Sequence, residues 1–162
     1  NMGPAGTTLV IVKDEILGNT GREIPTMLDY RTHISKDSMF NTPPVFPIYV
    51  SMLTLQWLKD IGGIEKIEKK NQQKAELLYS EIDRNSLFTG TANKEDRSDM
   101  NICFLLNDSR KENIFKNMCE QKGISGIKGH RSVGGYRASI YNAMPINSIE
   151  VLIDIMKKIE KR

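Results

Sequence analysis

Residues 128–142 combine side chains that bind anions with a Gly-Gly pair that permits a sharp turn. His130 and Arg131 precede the Gly-Gly pair, and Arg137 follows it inside a short apolar run. An Arg guanidinium presents a planar fork of donors that matches carboxylate and phosphate oxygens, and glycine adopts backbone conformations closed to other residues. The pattern predicts a site for a ligand with two anionic ends. A solvated basic loop stays open as the alternative, because short motifs match by chance.

Composition argues against several classes of function. The chain has 162 residues, of which 39% are hydrophobic and 27% charged, so one domain or two small ones can form a core. The net charge of +3 is too small to argue for nucleic acid. No apolar run approaches the roughly 20 residues of a membrane span, and no signal-peptide pattern is present. We expect a cytoplasmic protein that binds neither a membrane nor nucleic acid.

The two cysteines and two histidines show no metal-binding pattern. Cys103 falls in a predicted strand and Cys119 in a predicted helix, without the paired spacing of a zinc site. We therefore expect no metal, and we expect both cysteines to be reduced core residues.

The elements that must position the anion-binding side chains form a small α/β layer. Strands are predicted at 100–106, 124–127 and 136–140, and helices at 109–122 and 149–159. This order is typical of a sheet covered by helices.

Upstream of that layer the pattern predicts one strand and two helices. Thr7–Val12 is β-branched and bounded by turns, which predicts a buried strand. Apolar residues recur with helical spacing over 45–61 and again over 64–82, on either side of a Gly-Gly break. The polar segment 83–98 indicates a boundary, so we expect domains at 1–83 and 84–162.

Three motifs resemble the phosphoserine aminotransferase family. They are Asn1–Gly6, Met39–Pro44 and Gly129–Pro145, the last reading G-H-R-S-V-G-G-Y-R-A-S-I-Y-N-A-M-P. The similarity runs in register along essentially the whole chain, which is identified as the C-terminal part of a family member. The resemblance implies the aspartate aminotransferase fold (fold type I) of pyridoxal-phosphate-dependent transferases. Residues 1–83 would be the remnant of the large cofactor-binding domain, and 84–162 the small α+β sandwich domain.

The resemblance also implies an activity. Family members are transaminases that move an amino group from glutamate to 3-phosphohydroxypyruvate in serine biosynthesis, a branch of amino-acid biosynthesis, giving phosphoserine. The cofactor is pyridoxal 5'-phosphate and the expected assembly is a homodimer. Action on the four-carbon phospho-keto acid of pyridoxine biosynthesis stays open.

Site residues follow from the matched motifs. The resemblance places Asn41 and Thr42 at the cofactor phosphate bound by the other subunit. It assigns Arg137 to the substrate α-carboxylate. His130 and Arg131 would hold the substrate phosphate or the distal carboxylate of glutamate, acting from the neighbouring subunit.

In this family the lysine that forms the Schiff base lies immediately before the motif that begins at Asn1. That lysine is outside the sequence, so we assign no catalytic residue and expect the chain itself not to transaminate. A strand at Thr7–Val12 would lack its sheet neighbours, and its exposed edges would favour association.

Two alternatives stay open. One is a related fold-type I aminotransferase with another substrate pair, such as serine and glyoxylate, although such substrates lack the distal anion that His130-Arg131 would bind. The other is a small anion- or RNA-binding α/β module that uses Lys128 and the same basic residues. Its aromatic candidates would be Tyr136 and Tyr141, and its RNA affinity would fall steeply with salt.

Overall fold

The computed structural model describes residues 1–130 and 134–161, which form two compact units. The N-terminal unit comprises Met2–Lys59. The sheet unit comprises Asn1 and Asp60–Arg162. Among the residues that the structure describes, no helix is both long and apolar enough to cross a membrane.

The N-terminal unit is helical where it is regular. Short 3-10 turns at Asp14–Ile16 and Thr26–Leu28 precede the five-residue helix α1, Tyr30–Ile34. Helix α2, Val45–Asp60, confirms the helix predicted at 45–61. It begins directly after a Pro-Pro pair, which fits the preference of proline for helix starts.

The strand predicted at Thr7–Val12 is wrong. These residues have no regular secondary structure, and the side chain of Ile11 is 90% exposed. The β-branched composition is typical of a strand, but a strand forms only where a neighbouring strand pairs with its backbone. No described residue pairs with this segment in a ladder.

The helices of the sheet unit confirm the predicted pattern. Helix α3 spans Gly63–Arg84 and starts after Gly62, whose φ of 106° is in the left-handed region. Helix α4 spans Glu112–Gln121 and helix α5 spans Ile146–Glu160. A 3-10 turn that begins one residue after Asp108 precedes α4, and the Asp108 carboxylate caps it by accepting from the Arg110 N–H at 3.1 Å.

The sheet unit contains a three-stranded antiparallel sheet in the order β1-β2-β3. The strands are β1 at Phe88–Gly90, β2 at Asn101–Leu106 and β3 at Tyr136–Ser139. Strands β2 and β3 confirm predicted strands. Strand β1 lies in the segment predicted to be polar and irregular, because a three-residue strand is too short to show alternation.

The strand predicted at 124–127 is also wrong. None of these residues belongs to a strand: the Ile127 carbonyl accepts one backbone hydrogen bond, from Arg137, and an isolated bridge joins the next residue, Lys128, to Tyr136. Gly123 and Gly126 adopt φ values of 73° and 67°, which turn the backbone away from the extended conformation that a ladder needs.

One face of the sheet carries the core. In β2 the side chains of Ile102 and Phe104 are fully buried, whereas Cys103 between them is only partly buried. Phe104 stacks on Tyr136 of β3 with ring centroids 5.5 Å apart, and Phe115 of α4 meets the same tyrosine edge-on at 4.9 Å. Helices therefore cover one face, as the small α/β layer predicted.

Helix α3 belongs to this layer. Its Leu78 and Ile82 are buried in the same cluster as the strand residues, and the two units divide between Lys59 and Asp60. The expected domain boundary at 83/84 concerns the domains of the family's complete enzyme, and it stays a prediction.

Candidate functional site

A loop with two cross-loop hydrogen bonds leads into β3. The Gly129 N–H donates to the Gly135 carbonyl at 2.9 Å, and the Gly134 N–H donates to the His130 carbonyl at 2.8 Å. A Cβ atom on Gly135 would lie 2.6 Å from Leu105 Cδ2, so the loop approaches β2 too closely for a larger residue. His130 is exposed at the start of this loop. Predicted site residue Arg131 lies outside the described residues.

The Arg137 side chain lies on the exposed face of β3. Its neighbours Tyr136 and Ala138 are buried in the core, so the pleat directs Arg137 to the opposite side. The Arg137 N–H donates to the Ile127 carbonyl at 2.7 Å, which ties the strand to the preceding segment. Within the described residues, no hydrogen bond or ion pair engages the Arg137 guanidinium, so its donors are available to an anion.

A groove of about 320 Å³ borders Arg137. Hydroxyl-bearing Ser125, Ser139 and Ser148 line it together with apolar side chains such as that of Met144. The groove can accept a small anionic molecule that presents a carboxylate to Arg137 and apolar atoms to the remaining wall.

Buried polar side chains from α3 hold the segment that follows β3. Lys74 is 2% exposed, and its ammonium donates to the carbonyl oxygens of Ile140 (2.9 Å), Tyr141 (2.7 Å) and Met144 (3.2 Å). Burial, and to a lesser extent the charge of Lys70, lowers the pKa of Lys74 below its ordinary value of 10.5.

Asn71 lies one helical turn before Lys74 on α3 and is 3% exposed. Its side-chain amide donates to the Asn142 carbonyl oxygen Oδ1 at 2.8 Å. The Asn142 backbone N–H donates to Asn1 Oδ1 at 3.1 Å, so the same segment also contacts the first residue of the chain.

Asn41 and Thr42 lie in the N-terminal unit, exposed and just before α2. Asn41 Nδ2 donates to the Thr42 carbonyl at 3.2 Å, so the amide acts here as a donor. Pro43 and Pro44 contribute no N–H to the start of α2. An anion at this helix end would therefore depend on side-chain donors such as those of Asn41 and Thr42.

Comparison with known proteins establishes the family. Residues 1–152 match the family model described as Aminotransferase class-V. The chain belongs to the aminotransferase class-V family. This match confirms the predicted fold class, and 67% identity to a phosphoserine aminotransferase over the whole chain confirms the predicted recognition.

Curated relatives of this class-V chain include phosphoserine aminotransferases. That of Flavobacterium psychrophilum is 67% identical over 162 residues, which is all of this chain and 46% of the relative. That of Flavobacterium johnsoniae is 64% identical over the same share of each chain. The class-V chain therefore spans just under half the length of these relatives.

Solved structures of phosphoserine aminotransferases share the fold of the class-V chain. One, from a study of radiation damage to its Schiff base, has a TM-score of 0.92 and 45% identity, covering 99% of this chain and 45% of that one. The enzyme from Bacillus circulans subsp. alkalophilus has a TM-score of 0.86 and 41% identity, covering 93% and 42%. The Trichomonas vaginalis enzyme with bound PLP has a TM-score of 0.76 and 36% identity, covering 83% and 39%.

In the sheet unit, His130 starts the loop that leads into β3, and Arg137 lies in that strand. In the N-terminal unit, Asn41 and Thr42 lie next to each other before α2. No group of three or more His, Cys, Asp or Glu side chains that could hold a metal occurs in the described part of the chain.

Proposed function

We propose that this chain forms the C-terminal part of a phosphoserine aminotransferase, a pyridoxal-phosphate-dependent transaminase that exchanges an amino group between glutamate and 3-phosphohydroxypyruvate. The observation that carries the proposal is 67% identity to such an enzyme along all 162 residues. When bound, pyridoxal phosphate supplies the electron sink of this chemistry, and the protein binds and orients the reactants.

Arg137 binds the α-carboxylate in this proposal. Its guanidinium is exposed on β3, is not engaged by described residues and borders the groove. A bidentate pair between guanidinium and carboxylate fixes orientation as well as position. Because amino donor and keto acceptor both carry an α-carboxylate, one arginine serves both half-reactions.

His130 and Arg131 bind the second anion, which is the phosphate of one substrate or the distal carboxylate of glutamate. They act across the subunit interface of a homodimer. The exposed position of His130 at the start of a loop supports this role, since an exposed side chain is accessible to a neighbouring subunit.

Asn41 and Thr42 bind the cofactor phosphate of the partner subunit. The residues fit this group, because the positive end of the α2 dipole favours an anion, and Asn41 and Thr42 supply side-chain donors where the two prolines have no N–H. The Asn41 amide already donates, to the Thr42 carbonyl, and in the complex it would turn that donor to phosphate oxygen.

A homodimer fits the exposed apolar surface of α2. Val45 is 68% exposed and Phe46 72% exposed, and the next turn adds Tyr49. Apolar exposure of this extent is typical of a surface that another chain covers.

We infer a cytoplasmic enzyme, in keeping with the free thiols of Cys103 and Cys119.

In this proposal the 162 residues bind and orient, and the cofactor lysine precedes Asn1. None of the proposed binding residues of this chain is assigned to proton transfer. The chain's contribution to rate is the positioning of substrate carboxylate and cofactor phosphate.

The test is the substrate preference of the full-length enzyme that carries this chain, purified with pyridoxal phosphate. Glutamate with 3-phosphohydroxypyruvate is compared with serine and glyoxylate, and the four-carbon phospho-keto acid is assayed as a second acceptor. We expect kcat/KM for 3-phosphohydroxypyruvate to exceed that for glyoxylate by more than about a hundredfold, because a site built to pair with an anion rejects a substrate that leaves its groups unpaired. A preference for glyoxylate would overturn the proposal.

A further inference from the structure

The segment Ile140–Met144 connects β3 to the start of α5, and its backbone is held from the core side by a lysine. All three donors of the Lys74 ammonium are used, by the carbonyls of Ile140, Tyr141 and Met144. The Met144 N–H also donates to the Tyr141 carbonyl at 2.9 Å, closing a turn around the ammonium. A single side chain thus fixes the shape of the whole turn.

Burial of the Lys74 ammonium costs desolvation free energy, which indicates that the residue does more than fill space. No carboxylate accepts from its ammonium in the part of the chain that the structure describes. An apolar side chain at this position would avoid the desolvation of a charge, and replacing buried charges with packed apolar groups is often neutral or stabilising. What an apolar side chain cannot provide is a set of directional bonds to three chosen carbonyls.

Asn71 supports the same segment from the same face of α3. Its amide donates to Asn142 Oδ1, while the Asn142 N–H donates to Asn1 Oδ1. The buried polar residues at positions 71 and 74 therefore both point to residues 140–144, whereas the other buried positions of this helix face, such as Leu78, are mostly apolar.

The segment begins three residues after Arg137. Ile140 continues the pairing of β3, because its N–H donates to the Met100 carbonyl at 2.9 Å beside β2. The position and twist of β3 at Arg137 therefore depend on where residue 140 is held, and Lys74 holds that residue through its carbonyl.

We propose that Lys74 and Asn71 are positioning residues that hold the Ile140–Met144 turn and thereby fix the Arg137 guanidinium for carboxylate binding. The inference rests on the proposed function, in which Arg137 binds substrate. Neither residue touches substrate. Asn71 also links the turn to Asn1, because it donates to Asn142 Oδ1 while the Asn142 N–H donates to Asn1 Oδ1.

The experiment replaces Lys74 with methionine in the full-length holoenzyme, which keeps an unbranched side chain shorter by one atom and removes its donors. The matched control is Asn85→Ala, at the end of the same helix. Asn85 is 1% exposed and donates to Glu81 Oε1 at 3.0 Å and the Met156 carbonyl at 3.1 Å, away from the turn. Both variants lose buried hydrogen bonds, but only one loses the support of Arg137.

We expect Lys74→Met to raise KM for both glutamate and the keto acid by about tenfold or more, since small misplacements of a binding group have large effects. Asn85→Ala should lower Tm and leave KM within about twofold. If Lys74→Met fails to fold, Asn71→Ala takes its place in the experiment. We then expect a smaller rise in KM for both substrates. Equal KM values in wild type, Lys74→Met and Asn71→Ala, with only Tm lowered, would reduce both residues to a structural role.

A second readout separates this inference from the proposed function. Amide hydrogen exchange of peptides covering residues 136–145 should accelerate in Lys74→Met and stay at the wild-type rate in Asn85→Ala. Unchanged exchange in Lys74→Met would overturn the positioning role whatever the activity. If exchange accelerates in Lys74→Met but the wild-type enzyme shows no transaminase activity, the proposed function is overturned and the anchoring of the turn stands.

Discussion

Arg97 donates two hydrogen bonds to the carboxylate of Asp83, from Nη1 to Oδ2 at 2.8 Å and from Nη2 to Oδ1 at 2.6 Å. The guanidinium also lies over the Tyr79 ring, 4.4 Å from its centroid. Through these contacts α3 holds the loop that joins β1 to β2. Hydrogen bonding by Arg97, and then its charge, hold the pKa of Asp83 below its ordinary value of 3.8.

Asp83→Asn should therefore change the acid dependence of stability. A carboxylate whose pKa is lowered in the folded state contributes stability that is present above the unfolded pKa and is lost as pH falls through the folded pKa. We expect the variant to lose about 0.5–1 kcal/mol at pH 7, the range of a partly exposed ion pair, and to approach wild type as the pH falls below 3.8 through the lowered folded pKa. Urea unfolding between pH 2.5 and 7 measures this.

The control for that series is Asp96→Asn, an exposed carboxylate in the same loop. It should leave the pH dependence of the unfolding free energy close to wild type. A constant difference between Asp83→Asn and wild type at every pH would show that the ion pair does not titrate as described.

Gly135→Ala should damage the loop at the candidate site more than its matched control, Gly126→Ala. Both glycines have positive φ, 63° and 67°, so both substitutions carry a backbone penalty of about 1 kcal/mol. A Cβ at position 135 would also meet Leu105 Cδ2 at 2.6 Å and the Phe104 carbonyl oxygen at 2.7 Å, whereas a Cβ at 126 meets nothing within 4 Å.

The measurements are urea unfolding and steady-state kinetics of the full-length enzyme. We expect Gly126→Ala to cost only the backbone penalty. Gly135→Ala should cost more and raise KM for the phosphorylated keto acid, because displacement of the loop moves His130. Similar losses in the two variants would contradict the close approach of loop and strand.

Arg137→Lys should raise KM for both substrates by about tenfold or more, because a lysine cannot form the bidentate pair with a carboxylate. Arg110→Lys is the control. Arg110 is also exposed, and its guanidinium is already paired with Asp108 on a different turn of the sheet unit. Unchanged kinetics in Arg137→Lys would remove that residue from the binding site, and a comparable rise in Arg110→Lys would point to a general charge effect.

The sequence predicts helices, which depend on local signals, better than strands, which depend on distant neighbours. Helices α2 and α3 were predictable because a Pro-Pro pair and a Gly-Gly pair mark their limits within periodic apolar runs. The strand expected at Thr7–Val12 was not, because strand formation depends on a neighbour that local composition does not contain. At 124–127 the glycine was visible in the sequence, but its φ of 67°, which interrupts the extended conformation, was not.

Some residues of the candidate site could be predicted from the sequence and others could not. His130 and Arg137 were predictable from residue type and spacing. Lys74 and Asn71 were not assigned a role, since a lysine in a charge-rich helix is usually solvated. Their signal was position, because both lie on the buried face of α3 with Ile67 and Leu78, where polar side chains need partners.

Pyridoxal phosphate should not form a stoichiometric adduct with the isolated 162-residue chain. The proposal places the cofactor lysine before Asn1, and the buried lysine of lowered pKa, Lys74, has its three donors bound to carbonyls. Surface lysines react weakly and at several positions, because each is a solvated, separate amine. Absorbance titration, borohydride trapping and intact mass measure the stoichiometry, and peptide mapping assigns the position.

The Lys74→Met chain is the control for that titration, and its adduct pattern should match wild type. A single saturable adduct at an exposed lysine would mean that the chain contains its own cofactor lysine, which contradicts the assignment of that residue to a position before Asn1. An adduct at Lys74 would instead mean that the turn opens and releases its ammonium. That result would contradict the fixed support of Arg137, because an amine that reacts with an aldehyde cannot at the same time donate to three backbone carbonyls.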